Sequence, residues 1–385
     1  MKILITTDWY KPVVNGVVTS VDNLTKGLIQ AGHEVRILTL SQDIHSRKEG
    51  NVYYIGSISA GIVYEKARLK LIMPENIAQD ILKWKPDVVH SQCEFSTFGI
   101  AREIANACRI PLIHTYHTVY ENYTHYFCFS HAMGKKMAKI FSRKVLSDVN
   151  AVIVPSRKIQ VMLKGYGINK TIYNIPSGIN MEKYESNKSE KREHLRSRLG
   201  ISSEECLILY VGRLAKEKNI EEVLGFLAKI GPNQKMLIVG DGPYRTELER
   251  KADALGVQKQ LIFTGMISPK EVPDYYAVGD IFISASNSET QGLTYMEAMA
   301  SALPLLCRAD DCLKDVITSG TNGFLYHTEE DFLYYFEQLK NDFLYRNQMG
   351  IMARKSIQER YSIQAFANSC IEVYHKAIQR AGVSV

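Results

Sequence analysis

Two glutamates stand eight residues apart in the stretch Ser288-Glu289-Thr290-Gln291-Gly292-Leu293-Thr294-Tyr295-Met296-Glu297-Ala298-Met299-Ala300. The apolar run Ile281–Ser284 before it reads as a strand and the residues after Gly292 as a helix. Glu289 therefore falls in the connecting loop and Glu297 inside the helix, on the side of Thr294. Tyr295, Met296, Ala298 and Met299 mark that helix as mostly buried, and a carboxylate among them needs partners or a polar ligand. The backbone N–H groups of Gly292, Leu293 and Thr294, free at the helix start, suit hydroxyl or phosphate oxygens. Two carboxylates that accept hydrogen bonds from vicinal hydroxyls suit ribose and hexose. The structural alternative is an acid favoured by the helix dipole together with a buried ion pair.

A second strand-to-helix loop reads Val211-Gly212-Arg213-Leu214-Ala215-Lys216-Glu217-Lys218-Asn219. Arg213 and Lys218 at the mouth of a strand suit a diphosphate, and a solvated basic loop is the alternative. Val239-Gly240-Asp241-Gly242-Pro243 is a Gly-rich turn with Pro at a first helical position. Near the N-terminus, Asp8-Trp9-Tyr10-Lys11-Pro12-Val13-Val14-Asn15-Gly16 lacks the G-x-G-x-x-G fingerprint, which argues against a nicotinamide dinucleotide. Gly16 can still let backbone approach an anion.

Aromatics and histidines crowd the end of another strand in His114-Thr115-Tyr116-His117-Thr118-Val119-Tyr120-Glu121-Asn122-Tyr123-Thr124-His125-Tyr126. A histidine here can bind a sugar hydroxyl or carry a proton. The spacing after it predicts a helix over His131–Ser147, with Met133, Met137, Ile140, Phe141 and Val145 set against Lys135, Lys136, Lys139, Arg143 and Lys144. Such a helix either lies on an anionic lipid surface or packs its apolar face on a sheet with its bases solvated. Ala60–Pro74 is a second apolar and basic stretch of this kind.

These residues sit on a repeated pattern of short apolar run and helical stretch. Ile3–Thr7, Glu34–Leu40, Asp87–His90, Leu112–Thr115 and Ala151–Pro155 read as one series of strands. Leu207–Val211, Met236–Val239, Leu261–Thr264, Ile281–Ser284 and Leu305–Cys307 read as another. Runs without alternation fit parallel strands buried on both faces. The expected organisation is two α/β domains, 1–180 and 201–360, joined by a charged linker over 181–200. A C-terminal helix, 361–385, is expected to pack back toward the first domain. Doubly wound sheets take ligands beyond the carboxyl ends of their strands, and two of them facing each other would form a cleft.

Composition bounds the function. The 385 residues are long enough for two domains. The longest run without charge, residues 50–64, is too short and too polar to span a membrane, which takes about 20 apolar residues. Asp8 cuts the first apolar stretch too early for a secretory signal. Seven cysteines without a C-x-x-C pair argue against a disulfide framework and against structural zinc, and point to a reducing cytoplasm. Residues 1–170 carry 22 Lys+Arg against 13 Asp+Glu, and the remainder is slightly acidic. A basic first half suggests an anionic partner. No nucleic-acid motif accompanies it. Asp310-Asp311 reads as a helix cap rather than a metal site.

The Glu289-x7-Glu297 pair resembles the paired glutamates of glycosyltransferase family 4, whose members have the two-domain GT-B fold. Tyr10-x-Pro12…Gly16-Val17, Ala31-Gly32-His33-Glu34-Val35, Pro155-Ser156, Asn174-Ile175-Pro176-Ser177-Gly178-Ile179-Asn180 and Val211-Gly212-Arg213 follow in the family's order. His117-Thr118 with Tyr120, Tyr123 and His125-Tyr126 resembles the bacterial 1,2-diacylglycerol 3-glucosyltransferases. The resemblance implies two tandem Rossmann-like domains facing an interdomain cleft. Arg213 and Lys218 would bind the donor diphosphate and stabilise its departure. Glu289 would bind the donor sugar, Glu297 the ribose, and the backbone of Gly292, Leu293 and Thr294 the sugar or diphosphate, while Gly16 would let a loop close. His117 would sit near the hexose. Tyr120, Tyr123 and His125, with Lys135, Lys136, Lys139, Arg143 and Lys144, would serve the acceptor and an anionic membrane. The expected activity is transfer of glucose from UDP-glucose to diacylglycerol or a glycosyl-diacylglycerol, with retention, no metal and no cofactor, at the inner face of the cell membrane. A soluble or polysaccharide acceptor, or a non-catalytic sugar-nucleotide-binding subunit, is the alternative.

Overall fold

The computed structural model describes residues 1–60, 68–121, 131–184, 188–202 and 204–382. In chain order its elements open with β1 (Lys2–Thr7), α1 (Gly16–Gln30), β2 (Glu34–Leu40), β3 (Arg47–Glu49), β4 (Val52–Ile55), β5 (Ser57–Ser59) and β6 (Arg68–Lys70). Next come α2 (Glu75–Trp84), β7 (Val88–Ser91), α3 (Ser96–Cys108), β8 (Leu112–Thr115), α4 (His131–Ser147), β9 (Ala151–Val154), α5 (Arg157–Gly165) and β10 (Ile172–Asn174). A second series follows: α6 (Lys188–Arg198), β11 (Leu207–Val211), α7 (Ile220–Leu227), β12 (Lys235–Val239), α8 (Arg245–Leu255), β13 (Leu261–Gly265), α9 (Val272–Val278) and β14 (Ile281–Ser284). It continues through α10 (Leu293–Ala300), β15 (Leu305–Arg308), β16 (Gly323–Tyr326), α11 (Glu329–Asn341), α12 (Phe343–Arg360) and α13 (Ile363–Arg380). The chain divides into two units, Met1–Gly178 with Ile363–Val385, and Ile179–Ser362.

In the first unit, eight strands lie in the order β10-β9-β8-β7-β1-β2-β4-β3, all parallel except β3 at the edge. Side chains alternate across a strand, so β1 feeds two cores at once. Ile3 and Ile5 pack with Val21, Leu24 and Leu28 of α1 and with Phe366, Ala367 and Tyr374 of α13. Leu4 packs on the opposite face with Ile100 and Ile104 of α3 and Leu146 of α4. The last helix thus belongs to the first unit, and α1 approaches it closely. A Cβ at Gly27 would stand 2.7 Å from both the Ala367 Cβ and the Ile363 carbonyl oxygen. Gly27→Ala should force the helices apart at a cost of about 1–3 kcal/mol. A lower unfolding midpoint is expected, and an unchanged midpoint would contradict the close approach.

In the second unit, six parallel strands run β13-β12-β11-β14-β15-β16. Leu207, Leu209 and Val211 face one core, with α10 residues Met296 and Met299. Ile208 and Tyr210 face the other, with Leu224 of α7 and Phe332 and Phe336 of α11. The charge-rich stretch 181–200, expected as a linker, lies inside this unit. Its α6 sends Arg192 and Arg196 to Asp280 at 2.7 and 3.1 Å, and Arg196 is buried. Asp310 caps a turn rather than a helix, its carboxylate accepting from the Cys312 N–H at 2.8 Å.

Both sheets start in the middle and then reverse direction. The reversal falls between β1 and β7 in the first unit and between β11 and β14 in the second. Those switch points are where strand ends splay apart and leave room for a ligand.

Candidate functional site

Beyond the switch point of the second unit, the loop after β11 brings Arg213, Glu217 and Lys218, and the loop after β14 brings Glu289. The Lys218 ammonium donates to Glu289 Oε1 at 2.5 Å. Arg213 pairs with Glu217 one turn on. Tyr210, on β11, donates to the Arg213 carbonyl oxygen at 3.2 Å, and Ser288 donates to the Glu217 carbonyl oxygen at 3.3 Å. The two loops are therefore tied to each other and to the sheet. Burial, with the nearby Glu289 and Glu217 carboxylates, holds the Tyr210 phenol well above its ordinary range, so it stays a neutral donor. Two cations and two carboxylates alternate in this small space, a setting in which a diphosphate and a hydroxyl-rich ring can each find partners.

Glu289 and Glu297 flank the start of α10. Gly292 precedes the helix with φ +78, and a Cβ there would collide with the Tyr295 ring, so the turn that separates the two glutamates requires glycine. Glu297 is fastened by side chains from elsewhere. Its Oε2 accepts from the Tyr276 hydroxyl at 2.8 Å, and the Tyr184 hydroxyl donates to it as well. Burial of this carboxyl pushes its pKa up, against the downward pull of the two hydroxyls and of Lys183. Tyr276 also donates to the Thr294 carbonyl oxygen at 3.2 Å, which fixes the side of the helix that Glu297 presents.

The first unit holds a second cluster, at the ends of β1, β7 and β8. The Tyr120 hydroxyl donates to Glu94 Oε2 at 2.5 Å, and His114 Nε2 lies 3.2 Å from Glu94 Oε1. His117 Nε2 lies 2.8 Å from Gln92 Oε1. With that amide oxygen as acceptor, the ring hydrogen sits on Nε2 and Nδ1 is left as an acceptor. Burial drives the His117 pKa down to about 4, with Glu94 opposing and His114 assisting, so the ring is uncharged near neutral pH. It is suited to bind a hydroxyl rather than to store a proton.

Asp8 at the end of β1 accepts from the Thr97 N–H and hydroxyl, both at 2.7 Å, and from the Ser96 N–H at 3.2 Å. It caps α3 from a different element, and burial pushes its pKa up to about 6 despite these bonds. The folded chain therefore holds this proton more tightly than the unfolded chain. The contribution to stability is full below about pH 4 and is lost as pH rises to about 6. The stability difference between the wild type and Asp8→Ala, measured by denaturant unfolding, should shrink over that range. A difference that grows with pH would reverse the assignment.

Helix α4 turns Gly134, Ala138, Ser142, Val145 and Leu146 inward. Met133, Met137 and Ile140, read from the sequence as part of one apolar face with Val145, stand 48%, 52% and 57% exposed. Val145 and Leu146 pack in the core together with the small Gly134, Ala138 and Ser142, while Met133, Met137 and Ile140 share the surface with Lys135, Lys136, Arg143 and Lys144, with Lys139 half-buried. Lys135 lies 3.9 Å from Glu121. Phe95, 51% exposed at the foot of α3, stacks on Phe141 of this helix. Across β5 and β6, the paired Ile58 and Leu69 are exposed too.

Of the residues expected from the sequence, Arg213, Lys218 and Glu289 come together, with Glu297 one helical stretch away. His117 and Tyr120 meet at the end of the first sheet, and Gly16 opens α1 behind the Asn15 cap. Tyr123 and His125 lie outside the described residues, as does part of the stretch Ala60–Pro74. Glu217, Tyr184, Tyr276, Asp8, Gln92 and Glu94 were not singled out from the sequence. For Asp8, Gln92 and Glu94 the signal was present, since Asp8 and Gln92 directly follow strands of a doubly wound sheet and Glu94 stands in the same loop as Gln92. Glu217 stood inside the Arg213–Lys218 loop. Tyr184 and Tyr276 carry no such mark.

A tandem pair of doubly wound units, the second with a basic and acidic cluster at its switch point, is the scaffold of a GT-B transferase. Residues 14–183 match the family model for Glycosyltransferase Family 4, and residues 191–356 that for glycosyl transferases group 1. The chain belongs to this glycosyltransferase family. It is similar to the alpha-monoglucosyldiacylglycerol synthase of Streptococcus pneumoniae, 37% identical over 86% of this chain and 76% of that one. It is also similar to the enzyme of the same name from Acholeplasma laidlawii, 33% identical over 99% and 98%. Among solved structures, Anabaena Alr3699/HepE in complex with UDP-glucose shares the fold, with a TM-score of 0.76 and 17% identity over 98% of this chain and all of that one.

Proposed function

We propose that this protein transfers glucose from UDP-glucose to diacylglycerol or a closely related glycolipid, with retention at the anomeric carbon. The observation that carries the reading is the convergence of Arg213, Lys218 and Glu289 at the switch point of the second unit. The likeness to two alpha-monoglucosyldiacylglycerol synthases over most of the chain supports the choice of hexose and acceptor. Arg213 and Lys218 neutralise the diphosphate as the glycosidic bond breaks, which is the electrostatic work a metal would otherwise do. Lys218 has three N–H donors and can hold Glu289 and a phosphate oxygen together. Glu289 orients the hexose through its hydroxyls, Glu297 holds the ribose, and N–H groups of Gly292, Leu293 and Thr294 reach sugar or phosphate oxygens. The acceptor hydroxyl attacks the face the diphosphate leaves and passes its proton to the departing phosphate oxygen. His117, uncharged, accepts a hydrogen bond from a hexose hydroxyl. Gly16 serves loop closure, and Tyr120 lines the acceptor.

The enzyme works on an anionic membrane, at the inner face of the cell membrane, and the bases and exposed apolar residues of α4 support this reading. No helix among the described residues is long and apolar enough to cross one. The test is incubation with a panel of nucleotide sugars and a total lipid extract, with and without a chelator, and product masses as the readout. A hexosyl-diacylglycerol formed from UDP-glucose at an unchanged rate in chelator is expected. Transfer only to soluble acceptors, or dependence on added metal, would overturn the reading.

A further inference from the structure

Both donor-facing cations have carboxylate partners within the chain. Lys218 holds Glu289, and Arg213 holds Glu217. The two carboxylates differ in what they do next. Glu289 keeps a task when the donor arrives, because it faces the sugar hydroxyls. Glu217 has none, and it sits beside the group that must receive the diphosphate. Its side chain is only 15% exposed, against 37% for Arg213. It is also held in place: the Ser288 hydroxyl fastens its carbonyl oxygen, and the next residue's N–H closes a tight turn onto the Ala215 carbonyl oxygen at 3.0 Å. A guanidinium presents a flat fork that fits a carboxylate and a phosphate in the same way. The Glu217 carboxylate thus takes a guanidinium N–H that a phosphate oxygen could take in its place.

We infer that Glu217 is an internal stand-in for the donor diphosphate, which displaces it from Arg213 on binding and from which it takes Arg213 back on product release. This rests on the reading of Arg213 as a diphosphate ligand. The carboxylate keeps the guanidinium compensated while the site is empty and weakens the hold on the nucleoside diphosphate product, so that the product can leave.

The test is a double-mutant cycle with UDP as the probe, read by calorimetry on the whole protein. Glu217→Gln removes the competing charge and keeps the shape, so UDP should bind about 3–10-fold more tightly, the scale of one partly exposed ion pair. On an Arg213→Ala background the same change should bring little gain, because nothing is left to release. Weaker or unchanged UDP binding in Glu217→Gln would overturn the inference and leave the diphosphate site standing, with Glu217 a mere positioner of Arg213. An equal gain on both backgrounds would also overturn it, since that reports long-range repulsion instead of displacement. If Arg213→Ala binds UDP like the wild type, the reading of the site fails, and the inference with it. Orthophosphate at the same concentration serves as a second probe, and its binding should strengthen in the same variant.

Discussion

Arg213→Ala should lower kcat/KM for glucosyl transfer by about 10²–10³-fold, the cost of losing one preorganised group that meets charge developing in a transition state. Three effects combine in this variant. The diphosphate loses the fork that neutralises it as it leaves. Glu217 loses the guanidinium that held it, so the loop after β11 loses one of its internal ties. Lys218 remains, but it is shared with Glu289 at 2.5 Å. The fold should survive, because the Tyr210 hydroxyl holds the Arg213 carbonyl oxygen rather than its side chain. An unchanged melting temperature together with collapsed turnover separates a ligand from a strut. Arg213→Lys should recover only part of the loss, since an ammonium cannot reproduce the planar fork. Glu297→Ala is expected to be nearly as damaging, as it removes the ribose acceptor and leaves the hydroxyls of Tyr276 and Tyr184 without theirs. Wild-type turnover in either variant would refute the role given to that residue.

The second large effect concerns α4. Replacing Lys136, Lys139 and Lys144 together by glutamine should weaken binding to anionic vesicles by about 10²-fold, at roughly 1 kcal/mol for each basic residue near the surface. Lys135 is left out because Glu121 already offsets it. The triple variant keeps the inward face of Gly134, Ala138, Val145 and Leu146, so stability should not move. The exposed Met137 and Ile140 supply the apolar part, and Met137→Ser with Ile140→Ser should weaken binding even at high salt, where the charge contribution is screened. Sedimentation with vesicles at low and high salt reads both. No binding of the wild type at low salt, or equal binding by the triple variant, would contradict the assignment of this face to a membrane.

Most interior strands, the long helix and the edge strand β13 were legible in the sequence, and the other edges were not. Glu34–Leu40, Leu112–Thr115, Leu207–Val211, Ile281–Ser284 and His131–Ser147 coincide with their expected bounds. Leu207–Val211 and Ile281–Ser284 are largely apolar runs, one ending at Gly212 and the other starting after Asp280, the mark of strands buried on both faces. β10 and β16 close the ends of their sheets, and β4 sits one strand in from an edge. They are three or four residues long, and β10 is only partly buried, so no strong apolar run announces them. The charge density of 181–200 suggested solvent, whereas Arg196 is buried on Asp280 and on the carbonyl oxygens of Val278, Ser202 and Glu205. A buried arginine with such partners leaves no local signature.

The same contrast holds at the site. Arg213, Lys218 and Glu289 were readable because they fall directly after strands in a βα pattern, where this architecture binds ligands. What holds them was not. The partner of Glu297 is 21 residues upstream on α9, and that of His117 lies 25 residues upstream after β7. Such pairs are made by sheet order, which brings β7 beside β8 and α9 beside α10, and sheet order is a property of the fold rather than of any local spacing.

The most direct measurement is the anomeric configuration of the product formed from UDP-glucose and diacylglycerol in anionic vesicles, read by proton NMR of the purified glycolipid. A single α-linked glucosyl-diacylglycerol is expected, with the configuration of the donor preserved. A β-linked product, or release of free glucose with no glycolipid formed, would contradict same-face transfer to a lipid acceptor.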